Sequence, residues 1–128
     1  MREEDYKEWF RFADMDLETA RHLFEKMYPP PLEIICFHCQ QAAEKFIKGV
    51  LVYCKIEVIK THDLVVLIDR LKGRFAISQE VLIACARLIP YGVSVRYPQD
   101  LNVDESTVKA SLHYATIIKD WAMGLLEK

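Results

Sequence analysis

Three consecutive prolines, Pro29-Pro30-Pro31, separate two long stretches of helical periodicity in this chain. Proline lacks the backbone N–H that a helix interior needs, so a run of three ends any helix that reaches it. Proline is tolerated in the first turn of a helix, so a new helix can begin at the last of the three. The sequence therefore predicts two helices joined as a hairpin.

Both stretches have the apolar spacing that this prediction requires. The second helix is expected to run from near Pro31 to about Cys54. In the first stretch, apolar residues recur at steps of three and four, the period of an amphipathic helix. That stripe consists of Tyr6, Trp9, Phe10, Ala13, Leu17, Ala20, Leu23, Phe24 and Met27.

The second half of the chain predicts shorter helices. Thr61 can cap a third helix that carries Asp63 in its first turn, where a carboxylate favours the helix dipole, and that runs to Gly73. Ser78 can cap a fourth helix, with Pro90 in its terminal region.

The end of the chain predicts a break and then a last long helix. The segment from Tyr91 to Pro98 has the composition of a non-helical connection between helices. Asn102 followed by Glu105 fits a capping box and opens a fifth helix that reaches the C-terminus. Since no stretch predicts a pair of strands, we expect residues 1–128 to form one all-α domain. Its architecture is predicted to be an antiparallel up-down bundle of about four long helices plus a short one.

The composition narrows the class of protein. Hydrophobic residues make up 52% of the chain and charged residues 28%, and no run approaches the ~20 apolar residues that span a bilayer. We therefore expect no membrane insertion, and the apolar surplus in so small a chain favours a homodimer. The N-terminus is charged and has no apolar signal core, which predicts a cytoplasmic protein with reduced cysteines. A net charge of −2 gives no global attraction for nucleic acid.

The stretch CFHCQQAAEKFIKGVL, residues 36–51, raises the question of a functional site. Helical spacing puts Cys36 and Cys39 on an apolar face, and His38 points away from both, so a four-ligand zinc site is not expected. These cysteines are predicted to be buried thiols without a metal.

The other face of the same helix is polar. It combines histidine and glutamine with two ammonium groups, as a surface that contacts phosphate would. The alternative is a merely solvated face with an ordinary ion pair from Glu44 to Lys48. The residues of this face are His38, Gln41, Glu44, Lys45 and Lys48.

Four motifs occur in an order that resembles the HEPN domain, the nucleotide-binding domain of higher eukaryotes and prokaryotes. They are ADMDL at residues 13–17, FHCQQAAEK at 37–45, THDL at 61–64 and VRYP at 95–98. The resemblance covers nearly the whole chain and implies an all-α bundle that is usually dimeric. It also implies a minimal nucleotidyltransferase as partner in a two-component, toxin-antitoxin-like module, and contact with a nucleotide or RNA.

Many members of that family are ribonucleases with an arginine followed roughly four to six residues later by histidine. Here Arg96 stands where the arginine belongs, but residues 97–102 contain no histidine and the next one is His113. Metal-free RNA cleavage needs a group that takes a proton from the 2′-hydroxyl, and a guanidinium stays protonated. The sequence therefore favours a protein without catalytic residues. The rival hypothesis is a ribonuclease that uses Arg96 together with an unusual base, either His62 or His38.

The resemblance implies a nucleotide- or phosphate-binding site with no metal and no cofactor. Its expected members are Lys45, Lys48, His62, Arg96 and Tyr97, with His38 and Gln41 as supports. The alternative for the histidines is a packing role, for Tyr97 a turn with Pro98, and for Arg96 an ion pair across a dimer. A third interpretation is a structural bundle that only assembles with partners.

Overall fold

The computed structural model describes residues 5–92 and 102–126, and these form helices with no strand among them. The prediction of an all-α bundle is therefore confirmed. Helix α2 packs against α1 and α5, α4 packs on α5, and the short α3 contacts α2 and α4. The helices are α1 (Tyr6–Lys26), α2 (Leu32–Tyr53), α3 (Leu64–Asp69), α4 (Gln79–Leu88) and α5 (Glu105–Leu126), with a 3-10 helix at Ile89–Tyr91.

Aromatic contacts show that α1 and α2 run antiparallel, as the proline-separated hairpin predicts. The ring of Tyr6, at the start of α1, packs edge-on against Tyr53 at the end of α2, with 5.0 Å between centroids. One turn further along α1, the Phe10 ring lies 5.6 Å from the Phe46 ring. Positions that ascend in α1 thus meet positions that descend in α2. The hairpin places polar residues of the two helices opposite each other.

A glycine allows α1 to approach α2 closely. An ideal Cβ built on Gly49 would lie only 2.5 Å from Cε1 of Phe10 and 3.2 Å from Cβ of Trp9. Real Cβ atoms do not come this close to a ring carbon, so a larger residue here would push the helices apart. The missing side chain at Gly49 thus sets how near Trp9 comes to the polar residues of α2.

The start of α3 differs from the prediction by two residues. Asp63, not Thr61, caps the helix, because its Oδ1 accepts hydrogen bonds from the N–H groups of Val65 and Val66 at 3.0 and 3.2 Å. Thr61 instead accepts a hydrogen bond from the N–H of Asp63. A capping side chain accepts hydrogen bonds from N–H groups that lie two or three residues later in the chain. For Val65 and Val66, the residue in that position is Asp63.

The end of α3 also differs from the prediction. The helix ends at Asp69 rather than Gly73, and tight turns carry the chain on to Arg74, whose N–H donates to the carbonyl of Leu71.

The start of α5 shows the same kind of difference. Asp104, not Asn102, holds the first turn, accepting from the N–H of Thr107 at 2.8 Å and from the hydroxyls of Ser106 and Thr107. The bond from the Thr107 N–H, with those from the hydroxyls, holds the pKa of Asp104 at about 2. The predicted box of Asn102 and Glu105 is therefore wrong, since Glu105 is already the first residue of the helix.

Other local predictions are confirmed. The Ser78 hydroxyl accepts from the N–H of Val81 and caps α4, and Pro90 lies in the 3-10 helix that follows. Tyr91 ends that 3-10 helix instead of opening a non-helical segment; residues 93–98 of the predicted break lie outside the described residues. None of the helices in the described ranges is both long enough and apolar enough to cross a bilayer.

Candidate functional site

The polar residues of α2 form two clusters, each built around one carboxylate. The Asp16 cluster consists of Asp16 on α1 with His38 and Lys45 on α2. The Glu44 cluster consists of Gln40, Glu44 and Lys48 on α2 with His62, which lies just before α3. The polar face that the sequence predicts is thus divided between two partners.

The Asp16 cluster bridges the helix hairpin. Asp16 Oδ1 lies 2.9 Å from Nδ1 of His38, and its Oδ2 accepts a hydrogen bond from the ammonium of Lys45. His38 and Lys45 are seven residues apart, about two helical turns, so they lie on one side of α2 and face α1. Burial by itself would raise the pKa of Asp16, but the hydrogen bonds from His38 and Lys45 outweigh it and the pKa lies below its ordinary value. Asp16 is therefore a carboxylate at neutral pH.

The Glu44 cluster is built on a carboxylate whose side chain is only 7% exposed. Oε2 accepts from Lys48 at 2.8 Å, while Oε1 lies 2.8 Å from Nδ1 of His62 and accepts from Nε2 of Gln40 at 3.1 Å. Burial raises the pKa of Glu44, yet these partners outweigh it, so the pKa is lowered overall. A charged carboxylate is tolerated here because both oxygens are bonded.

Gln40 ties this cluster to two other parts of the chain. It is fully buried, and its Nε2 also donates to the backbone carbonyl of His62 at 3.1 Å. Its Oε1 accepts from Gln41 at 2.7 Å. On another side it packs against Gly92, where an added Cβ would lie 3.1 Å from the Gln40 amide. The network therefore reaches the point from which the chain continues toward Arg96.

His62 is the exposed member of the cluster, with 57% of its side chain accessible. When Nδ1–H is donated to Glu44, the neutral ring carries its lone pair on Nε2. A carboxylate bonded to one ring nitrogen fixes the orientation of the ring. With its ring held in this way, His62 can accept a proton from a ligand, or lie as a cation beside an anionic group of a ligand.

The structure brings together some of the residues predicted for the site. Lys48 and His62 share Glu44, Lys45 and His38 share Asp16, and Gln41 joins the Glu44 cluster through Gln40. Arg96 and Tyr97 lie outside the described residues.

The alternative of a solvated face does not hold for Glu44 and Lys48. The ion pair between them forms, but both residues are buried, because His62 from outside the helix covers Glu44 and Trp9 lies 5.9 Å from the Lys48 ammonium. Asp16 and Gln40 were not named for the site. Asp16 lies within the ADMDL motif and Gln40 within the FHCQQAAEK motif. Their membership of these motifs is the one feature of the sequence that points to them.

The cysteines belong to neither cluster. Cys36 and Cys39 are fully buried free thiols, as predicted, and burial raises the pKa of each. Within residues 5–92 and 102–126, no three histidine, cysteine or acidic side chains converge in a way that could hold a metal ion.

Comparison with known proteins supplies the context for this geometry. The family model of the HEPN domain matches residues 6–126. No protein of curated function has a significant match to the chain.

Three solved structures share its fold. A protein from Thermus thermophilus superimposes with a TM-score of 0.81 at 21% identity, covering 94% of this chain and 97% of its own. An archaeal HEPN homologue has a TM-score of 0.74 at 27% identity, covering 98% of each chain. A HEPN domain protein from Thermotoga maritima has a TM-score of 0.62 at 21% identity, covering 98% of this chain and 97% of its own.

Proposed function

This chain belongs to the HEPN domain family, and from that membership we propose that it binds the phosphate groups of a nucleotide or of RNA. The contacts are Lys45, Lys48, His62, Arg96 and Tyr97, supported by His38 and Gln41. Binding needs neither a metal nor a cofactor in this proposal, because ammonium, imidazole and guanidinium groups supply the positive charge.

The observation that carries this proposal is the link between Glu44, His62 and Gln40. Glu44 holds Nδ1 of His62, whose side chain is more than half exposed. Gln40, in the same network, packs against Gly92, four residues before Arg96. This contact puts the Glu44 cluster next to Gly92, which supports including Arg96 in the same proposed site.

Arg96 is central to the positive charge that the proposed site offers to phosphate. Lys45 and Lys48 are each paired with a carboxylate, which offsets much of their positive charge. In this proposal Arg96 therefore supplies most of the net attraction for phosphate.

Replacing Arg96 by Ala tests this proposal. We expect the Kd for an RNA oligomer or a nucleotide to rise by about ten- to hundredfold, the scale of a lost charge-assisted hydrogen bond, with a smaller effect at high salt. The matched control is Arg70→Ala, which removes an exposed arginine at the end of α3. Fluorescence anisotropy gives the Kd. Should Arg96→Ala lower the melting temperature or split an oligomer while binding stays intact, Arg96 is a structural ion-pair residue.

Assembly is the second part of the proposal. We propose a cytoplasmic homodimer that acts with a minimal nucleotidyltransferase in a two-component, toxin-antitoxin-like module. Its support is the family membership together with the 52% apolar composition of so small a chain. Light scattering at micromolar concentration should give twice the 15.0 kDa chain mass. The reading frame beside the gene should encode a small nucleotidyltransferase; co-purification of the two proteins tests the pairing.

A ribonuclease is the second candidate, and the contact between Glu44 and His62 favours it. Nε2 of His62 could take the proton of a ribose 2′-hydroxyl while Arg96 stabilises the charge on the phosphate. The absence of histidine from residues 97–102 argues against it. Incubation with mixed RNA distinguishes the candidates, since cleavage that is lost in both His62→Ala and Arg96→Ala would establish an enzyme.

A further inference from the structure

A cleft of about 370 Å³ lies along the first turns of α1, beside the Asp16 cluster. Trp9 and Phe12 form its apolar part, and Lys45 of α2 also lines it. Trp9 and Phe12 are three residues apart, so their rings lie on one side of the helix. Asp5 and Glu8 complete the lining.

The two rings are held in different ways. Phe12 is 47% exposed, and the guanidinium of Arg11 lies 4.7 Å from the centre of its ring. Arg11 is itself fixed by Glu8, with both contacts at 3.0 Å. Trp9 is partly buried, with the Lys48 ammonium 5.9 Å from its ring. The cleft therefore has a partly exposed aromatic wall, with a cationic side chain near each of its two rings.

The charged groups around the cleft determine how a ligand can be oriented in it. The ammonium of Lys45 has three donors, and within the described residues only Asp16 takes one. Lys45 is the one cation among the lining residues that the structure describes, and of the two acidic ones Glu8 is already paired with Arg11. A ligand with a flat apolar end and an anionic end therefore fits one way round, with the anion at Lys45.

We propose that this cleft binds an unpaired nucleobase of single-stranded RNA, stacked on Phe12 and Trp9, with the adjoining phosphate at Lys45. The volume is ample for a base with its ribose, and every base has a π-face that stacks on an aromatic side chain. This inference rests on the proposed function, because Lys45 belongs to both sites. It adds a base contact to what is otherwise a site for phosphate alone.

The test compares a short single-stranded RNA with an abasic oligomer of the same length and charge. Wild-type protein should bind the RNA about tenfold more tightly, the scale of one stacked base, and that preference should vanish in Phe12→Leu. Leucine keeps an apolar side chain and removes only the ring. The matched control is Ile83→Ala, which alters a similarly exposed apolar residue on α4 and should keep the preference. In a Trp121→Phe background, RNA should also quench the fluorescence of Trp9.

The outcomes separate this inference from the proposed function. Equal binding of the two oligomers, or a preference that survives in Phe12→Leu, overturns the base site and leaves phosphate binding in place. If neither oligomer binds, the proposed function fails as well. If Phe12→Leu instead lowers the mass seen by light scattering and leaves the preference unchanged, the cleft is a contact between copies of the chain, and the inference is overturned.

Discussion

Nδ1 of His62 lies 2.8 Å from Oε1 of Glu44, so an exposed histidine is anchored by a carboxylate buried in the helix bundle. The same carboxylate neutralises Lys48, which is itself 9% exposed. One side chain thus serves both the stability of the fold and the orientation of the candidate site.

Replacing Glu44 by Gln should therefore destabilise the protein strongly. The amide keeps the size of the side chain, but the ammonium of Lys48 remains buried without a counter-charge, which costs roughly 3 kcal/mol of unfolding free energy. Urea denaturation measures the change. The control is Glu18→Gln, which removes a pair with Arg21 on the surface of α1 and should cost less than about 0.5 kcal/mol. Similar small losses in both variants would show that Lys48 does not depend on Glu44.

Stability should also fall in acid because of the carboxylates of Asp16 and Glu44. The pKa values of Asp16 and Glu44 are lower in the folded protein than their ordinary values of about 4. The unfolded chain therefore takes up protons first as the pH falls. The stabilising effect is complete above about pH 5 and is lost as the pH falls through the folded pKa values. Urea midpoints between about pH 7 and pH 3 should decline less steeply in the double variant Asp16→Asn, Glu44→Gln. A decline equal to that of wild type would assign the acid sensitivity to other groups.

Two glycines in helices should respond oppositely to alanine. In Gly49→Ala the new methyl group meets the ring of Phe10 at 2.5 Å, and overpacking of this kind costs typically about 1 to 3 kcal/mol. Gly124 in α5 has no atom within 4 Å of the corresponding position, so Gly124→Ala should be neutral or stabilising by up to about 1 kcal/mol. Thermal unfolding of the two variants measures both effects. A stable Gly49→Ala would mean that Phe10 moves aside without cost.

The four cysteines should be unreactive in the native protein. All are buried, and burial raises the pKa of every thiol, that of Cys85 to about 12. The thiolate is the reactive form, so a disulfide reagent at neutral pH should react slowly with folded protein and at once after denaturation. Cys54, at the end of α2, is 7% exposed and should react first. Rapid reaction of Cys39 in the native state would contradict its burial.

The sequence predicts the long helices well because their signals are local. Proline ends α1, and the apolar spacing of both hairpin helices persists over many turns. Caps are harder, since at two helix starts a second residue able to cap follows the predicted one by two positions. In both cases the later residue, Asp63 or Asp104, forms the cap, and a choice between acceptors two residues apart depends on backbone angles that composition does not reveal.

The candidate site is less predictable because contacts distant in sequence build it. Helical spacing separates Glu44 and Lys48 from the apolar residues of α2. It cannot show that His62, eighteen residues later, closes over Glu44, nor that Asp16 reaches across from α1 to Lys45. Sequence periodicity describes a helix by itself, and these burials arise only when the helices pack.

The enclosure of α2 has a consequence for hydrogen exchange. Fourteen of its 22 residues are buried, and α1 and α5 both pack against it. The central amides of α2 can therefore exchange with solvent only when the whole bundle unfolds. The six-residue α3, in which Val65 and Val66 are exposed, can open by local unfolding. Deuterium should enter α3 long before α2. The slowest amides of α2 would then report the free energy of unfolding of the whole bundle.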